Sequence, residues 1–450
     1  MSLERARTYL LERARAQGVQ LEVYSSSGSS TRIQAHQGKV SEFNLTNRAG
    51  LGLRALVRGA WGYAYTENLT QTALDRALRD AVENASLVAP EPHATLGAWP
   101  EPPHVGDLYG EGLSGVTVDR KVRAAIELEQ AAMKADPRVT VVAYSGYADG
   151  ESEVAIANTS GLARDYKANF AYQFAMPVVA EHGQNKSKFD WDFSREFETL
   201  DPTRTALKSV EKALGLLGGQ PAPSGTFAVV IQHECMAQLL DTFNDIFSAK
   251  MVQEGKSPLS GKLGSLMANA NVTIVDDATR PAGLASRPFD AEGYPSSPIT
   301  IVEGGRLLHL LHNTETAARD GVESTGHAAR GGYKGTIGIA PSNMFLAPGD
   351  ISPEALMASI TEGVFLTSVT GTHAGANVIT GDFSLQAEGF WVKDGKVAYP
   401  LEVFTVAGNF LTLLNEVEAV GNDLKFGPPA GAGSFGSPSV RVKSLSIGGK

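Results

Sequence analysis

The 450-residue chain has one cysteine, Cys235. That excludes an intrachain disulfide framework and any thiolate-rich zinc cage built by this polypeptide alone, and it fits a reducing compartment. No apolar run approaches the ~18 to 20 residues needed to cross a bilayer, so an integral membrane protein is not expected. The opening MSLERARTYLLERARAQG lacks the uninterrupted apolar stretch of a secretory signal, and the expected location is cytoplasmic. Cations are the minority, with 39 Lys plus Arg against 49 Asp plus Glu and a formal charge of −10. Such a balance repels phosphate backbones and disfavours nucleic acid as a partner.

What is present is enough for two or three globular domains. A charged N-terminal helix ends at Gly18, and VQLEV then alternates apolar and polar residues as a half-buried strand does. Further strand-like runs are expected to break at GSS, QG and RAG. TQTALDRALRDAVENAS places Leu74, Leu78 and Val82 on one helical stripe, and a second helix spans Thr117 to Asp136. A third has Asp201 as its cap, Pro202 in its first turn, Leu207, Val210, Leu214 and Leu217 as its expected buried stripe, and Gly218 and Gly219 as its stop. GGQPAPSG, residues 218–225, reads as a linker. Beyond it, short apolar runs punctuated by glycine predict a β-rich region. The expected class is α+β: an N-terminal α+β region over 1–217, divisible into 1–88 and 112–217, then a β-rich domain over 226–450.

IQHECMAQLLDTF, residues 231–243, carries the chemistry worth weighing. FAVVI before it reads as a buried strand, which puts His233 and Glu234 at a strand-to-helix junction. Met236, Leu240, Phe243 and Phe247 recur as a core stripe, with Glu234, Gln238, Asp241 and Asp245 opposite. An amphipathic helix accounts for all of these without metal. A catalytic zinc needs three protein ligands and an open position, with a carboxylate to activate water. Position 237 is Ala, so HExxH is absent. Gln238 stands about 140° around an ideal helix from His233, and Cys235 about 200°, so neither shares a metal with it without distortion.

Other motifs fail on context. GAGSFG at 431–436 has dinucleotide-loop spacing but is followed by a strand pattern, and GKS at 255–257 lacks the upstream glycine of a phosphate loop. His309 and His312 read as strand or turn residues. His327 and His373 fall in glycine-rich loops, where close approach to a ligand makes them candidate peptide-binding residues.

Taken together, AGLGLR (49–54), LASRPFDAEG (284–293), STGHA (324–328), ITGDFS (379–384), GFWV (389–392), AGN (407–409), GND (421–423) and the terminal SLSIGG resemble, in order, the TldD/PmbA family. The resemblance implies a two-part fold and two kinds of subunit. A TldD type carries a zinc-binding HExxxH helix and a distant cysteine ligand, whereas a PmbA (TldE) type lacks the complete site. The pair forms a peptidase that degrades unstructured peptides and, in bacteria, processes a microcin precursor and an antitoxin; an association with DNA gyrase is implied by the same resemblance. On that template His233 is the first ligand, Glu234 the water-activating base, and Gln238 replaces the second histidine. The segment 421–440, where the cysteine ligand would fall, has none.

The expected function is therefore a PmbA-like subunit of a zinc metallopeptidase assembly, in a homo- or heterodimer. Zinc would reside in a TldD-type partner and not stably in this chain, and His233 and Glu234 would be a remnant or a structural residue pair. Two alternatives stay open. One is an independent metallopeptidase in which His327, His373 or Asp382 completes an atypical site; the other is a non-catalytic peptide-binding or scaffold homodimer.

Overall fold

Very long antiparallel strands build the first half of the molecule. The computed structural model describes residues 1–428 and 433–449, so positions 431 and 432 of the discarded GAGSFG motif lie outside the described residues. Helix α1 (Leu3–Ala16) leads into β1 (Gln20–His36), β2 (Lys39–Val57) and β3 (Ala60–Thr66), followed by α2 (Gln71–Ala85) and α3 (Val118–Ala135). Next come β4 (Val139–Asn158), β5 (Ala163–Glu181), β6 (Gln184–Ser187), β7 (Asp190–Ser194) and α4 (Pro202–Leu214). The strands form one sheet in the order β3-β2-β1-β4-β5-β6, with β7 also on β5. Helices α1 and α2 bury Leu10, Leu74 and Leu78 against Leu21 and Leu53. Helices α3 and α4 bury Leu128 and Val210 against Val142 and Val179.

Two expectations need correcting. GSS and RAG do not interrupt strands: they lie inside β1 and β2, which pair continuously from Gln20↔Leu56 to His36↔Lys39 with one register shift. Only QG is a turn. The reason for glycine here is close packing, since a Cβ on Gly50 or Gly52 would run into Tyr333 from the second half. In α4 the buried positions are Thr205, Ala206, Ser209, Val210 and Ala213, whereas Leu207 is 50% exposed. The helix ends at Leu214 with Gly215 as its C-cap, one turn before the predicted stop. Val210 is buried and Leu214 and Leu217 pack partly buried against the same core, so of the predicted stripe only Leu207 lies outside, and small side chains (Thr205, Ala206, Ser209, Ala213) fill the rest of the face.

The second half is strand-rich. Strand β8 (Gly225–Ile231) lies between Glu362–Thr370, parallel, and Val440–Gly448, antiparallel. The sheet continues through Phe404–Asn409 and Asp382–Lys393, and the latter pairs back onto Glu362–Thr370. Five strands thus close into a ring, which removes free edges. A six-stranded sheet runs Arg306–Leu307, Pro298–Glu303, Ile274–Asp277, Asn343–Leu346, Ser434–Ser437, Lys425–Phe426. Helix α5 (His233–Phe243) packs between the two, with Met236, Leu240 and Phe243 buried beside Val229, Leu366, Ile274 and Met344. Among the described residues no helix is long and apolar enough to cross a membrane.

A buried charge network joins the halves. Arg54 of β2 donates to Glu22 of β1 at 2.8 Å and to Glu292 at 2.9 Å, and Arg330 donates to Glu22 at 2.6 Å. The guanidinium planes lie over Trp61 and Tyr24 respectively. None of the four charged side chains is more than 4% exposed.

Candidate functional site

Helix α5 starts where β8 leaves the ring of strands. Gln232 is its N-cap in extended conformation but provides no side-chain bond. The cap comes from elsewhere: the His233 backbone N–H donates to Ser439 Oγ at 3.2 Å, and that hydroxyl donates to Asp423 Oδ2 at 2.7 Å. Asp423 also accepts from the Ser439 backbone at 2.8 Å. The aspartate of GND thus anchors the entry to α5. His233 is held mostly out of water, which lowers its pKa from the usual imidazole value. Its Nδ1 is buried with no hydrogen-bond partner.

Glu234 points the other way, toward the first half. Lys212 Nζ of α4 lies 3.1 Å from both carboxylate oxygens, and Lys425 Nζ lies 2.9 Å from one of them. Lys212 also donates to Asp190 of β7 at 2.9 Å. A chain Asp190–Lys212–Glu234–Lys425 therefore bridges the halves. Burial alone would raise the Glu234 pKa, but the two ammonium groups outweigh it and hold it at about 2. Burial would likewise depress Lys212, and Glu234 and Asp190 reverse that, so its pKa is raised.

Chemically this is an ion-pair chain. A general base works best with a pKa near the operating pH, far above that of a carboxylate clamped between two cations. At the head of α5 the Glu234 carboxylate is taken up by two ammonium groups and Asp423 by Ser439, which leaves one imidazole and one amide as donors, and this set does not fit a catalytic dication. Among the described residues no group of three or more His, Cys, Asp or Glu side chains is placed to hold a metal ion. Cys235 is buried beneath the helix, and burial pushes its thiol up to about 12. The Glu234 contribution to stability has a definite sign. A carboxyl whose folded pKa is depressed stabilises above its unfolded value and loses that contribution as pH falls through the folded one. Glu234→Gln is expected to lower the unfolding free energy by about 1 to 2 kcal/mol at pH 7, with the gap narrowing on acidification toward pH 3. Urea titrations of both proteins at the two pH values check this.

The other candidates are dispersed. Gln238 lies on α5 and, with Glu234 and Asp241, lines a cavity of about 600 Å³. In the same cavity Lys188 donates to Glu388 and to Ser368, each at 2.6 Å. His327 is fully enclosed, its Nδ1 2.8 Å from Thr325 Oγ1 and its Nε2 3.0 Å from Asp276. His373 is exposed on a single helical turn, Thr372–Gly375, and Asp382 is an exposed strand residue bonded to Asn409. His233, Glu234 and Gln238 share a helix; His327 belongs to a separate buried cluster. Lys188, Lys212, Lys425 and Ser439 belong to no motif singled out in the sequence, and Asp423 is marked only as part of GND, with no role; the five come from four distant segments that folding brings to α5 and the cavity beside it.

Comparisons with known proteins agree with the architecture. Residues 21–85, 111–217 and 224–449 match, in order, the models of PmbA/TldA metallopeptidase domain 1, central domain and C-terminal domain. The chain is 29% identical over 459 residues to a metalloprotease of Methanothermobacter thermautotrophicus, covering 95% of each. It is 25% identical to the metalloprotease PmbA of Escherichia coli O157:H7, covering 98% of this chain and 96% of the other. A Thermotoga maritima crystal structure, of a protein named as a candidate modulator of a DNA gyrase, superposes with a TM-score of 0.91 at 30% identity, covering 99% and 100%.

Proposed function

The chain belongs to the PmbA/TldA metallopeptidase family, and from that premise we propose that it is the PmbA (TldE)-like subunit of a two-subunit peptidase. In this reading a TldD-type partner holds the zinc and activates water, while this chain shapes the chamber and helps hold an unstructured peptide. The observation that carries the reading is the Lys212–Glu234–Lys425 clamp. It occupies the carboxylate that the family's zinc helix would use as its base, and Gln238 stands where a second imidazole ligand would be. When bound, zinc would supply a Lewis acid and a hydroxide nucleophile from the partner's side. This chain's own residues bind and orient.

Strand β7 supports the peptide-holding part. Among the described residues it pairs only with β5, and Trp191 and Phe193 along it face open cavities. An extended peptide adding to that free edge gains main-chain hydrogen bonds whatever its sequence, which suits an unfolded substrate.

The purified chain is expected to carry far less than one zinc per molecule and to leave an unstructured peptide intact. Addition of a TldD-type subunit is expected to start cleavage that a chelator abolishes. Stoichiometric zinc with chelator-sensitive cleavage by the pure chain would overturn the proposal.

A further inference from the structure

A second cavity, of about 610 Å³, opens between β5, β7 and the segment Leu284–Arg287. Its walls are aromatic: Tyr166 and Phe170 of β5, Phe189, and Trp191 and Phe193 of β7. Phe170 and Phe193 stack with centroids 6.2 Å apart and planes at 16°. Even so, Phe170 and Phe189 remain 36% and 43% exposed. Aromatic surface left open in a recess of this size is the usual mark of a ligand site.

The recess also holds cations without anions. No aspartate or glutamate among the described residues lines it. Arg287 does line it, and its Nε and Nη2 are buried with no hydrogen-bond acceptor. Arg195 donates to the carbonyls of Leu108 and Gly283, each at 2.8 Å, and to that of Asn169; no carboxylate bonds it directly, and Asp107 acts on it only through space. The contrast with Arg54 and Arg330 is plain, since both of those buried guanidinium groups sit on carboxylates. Arg287 as a whole is half-buried, and guanidinium nitrogens left without acceptors carry a cost that a carboxylate reaching the group would relieve.

We propose that this cavity binds the free C-terminus of a peptide that ends in an aromatic residue, with Arg287 holding the terminal carboxylate and the Phe170, Phe189 and Phe193 rings holding the last side chain. The proposal rests on the peptide-holding role above for its choice of ligand. It adds an end-specific anchor beside the β7 edge, so that the peptide enters in a fixed direction. It requires no metal and no partner subunit, and is therefore measurable on the full chain alone.

The test is equilibrium binding of N-acetyl-Ala-Ala-Phe as the free acid and as the amide, followed by calorimetry and by the fluorescence of Trp191, which lines the cavity. The free acid is expected to bind on the order of tenfold or more tighter than the amide, the size of one charge-assisted pair. Arg287→Met should erase that preference and Arg287→Lys should keep part of it. Equal affinity of acid and amide for the unaltered chain, which needs no variant, overturns the proposal, as does failure of both to bind. N-acetylphenylalanine binding as tightly as the tripeptide would also overturn it, in favour of a small aromatic acid. None of these results bears on zinc content or on cleavage after a TldD-type subunit is added, so the two proposals fail separately.

Discussion

Arg54→Met is expected to lower the unfolding free energy by about 3 to 5 kcal/mol at pH 7, the cost of stranding buried carboxylates. Arg54 is the one cation shared by Glu22 and Glu292, and it ties β1 and β2 to the second half. Removing it leaves Glu22 with Arg330 only, and leaves Glu292 with the backbone N–H of Thr314 at 2.9 Å. The pH dependence sharpens the test. Burial alone would raise the Glu22 pKa, yet Arg54 and Arg330 outweigh it and the net shift is downward. In the native protein that contribution is therefore present above the unfolded carboxylate pKa and lost as pH falls through the folded one. A buried carboxylate stripped of its cation prefers to take up a proton, so the variant regains part of its deficit on acidification. Denaturant unfolding at pH 7 and pH 5 should show a smaller gap at the lower value. A loss under about 1 kcal/mol at pH 7 would mean that the network is more hydrated than its burial implies.

His327→Leu is expected to cost a similar amount, about 3 to 5 kcal/mol, without altering peptide turnover per folded molecule when the proposed TldD-type subunit is added. His327 and Asp276 are both fully buried and 3.0 Å apart. Asp276 also accepts from the Ser342 backbone at 2.7 Å and from the Ser342 hydroxyl. Burial would raise the Asp276 pKa, but these partners outweigh it and the net shift is downward. Leucine removes the imidazole and leaves the carboxylate to Ser342 alone. Its stabilising contribution is present above the unfolded aspartate pKa and fades as pH falls below it, so the deficit of the variant is largest near neutrality. Thermal unfolding measures the loss. A changed KM for peptide at full folding would instead place His327 in substrate binding.

The local rules carried far along the chain. Helix periodicity located α2 and α3, Asp201 and Pro202 marked the start of α4, and FAVVI followed by His233 marked the strand-to-helix junction. They failed where tertiary approach overrides local propensity. GSS in β1 and RAG in β2 read as breaks because turn propensity is local, while the close approach of the Glu151 backbone to Gly28 and of Tyr333 to Gly50 is not. Val210 and Leu214 of α4, and Leu217 just past its end, pack against the core as their spacing implies, and only Leu207 falls outside it, because periodicity identifies apolar spacing but not which neighbours the helix meets.

The candidate site divides along the same line. The single cysteine, the amide at position 238 and the acidic balance are covalent facts, and they already limit which ligands one polypeptide can offer a metal. That Glu234 is clamped by Lys212 and Lys425, that Asp423 caps α5 through Ser439, and that Arg287 lines an aromatic recess with no carboxylate among its described lining residues were decided by folding alone. Charge pairing acts across a few ångströms of space, and residues 22 or 191 positions apart become partners only when sheets and helices bring them there.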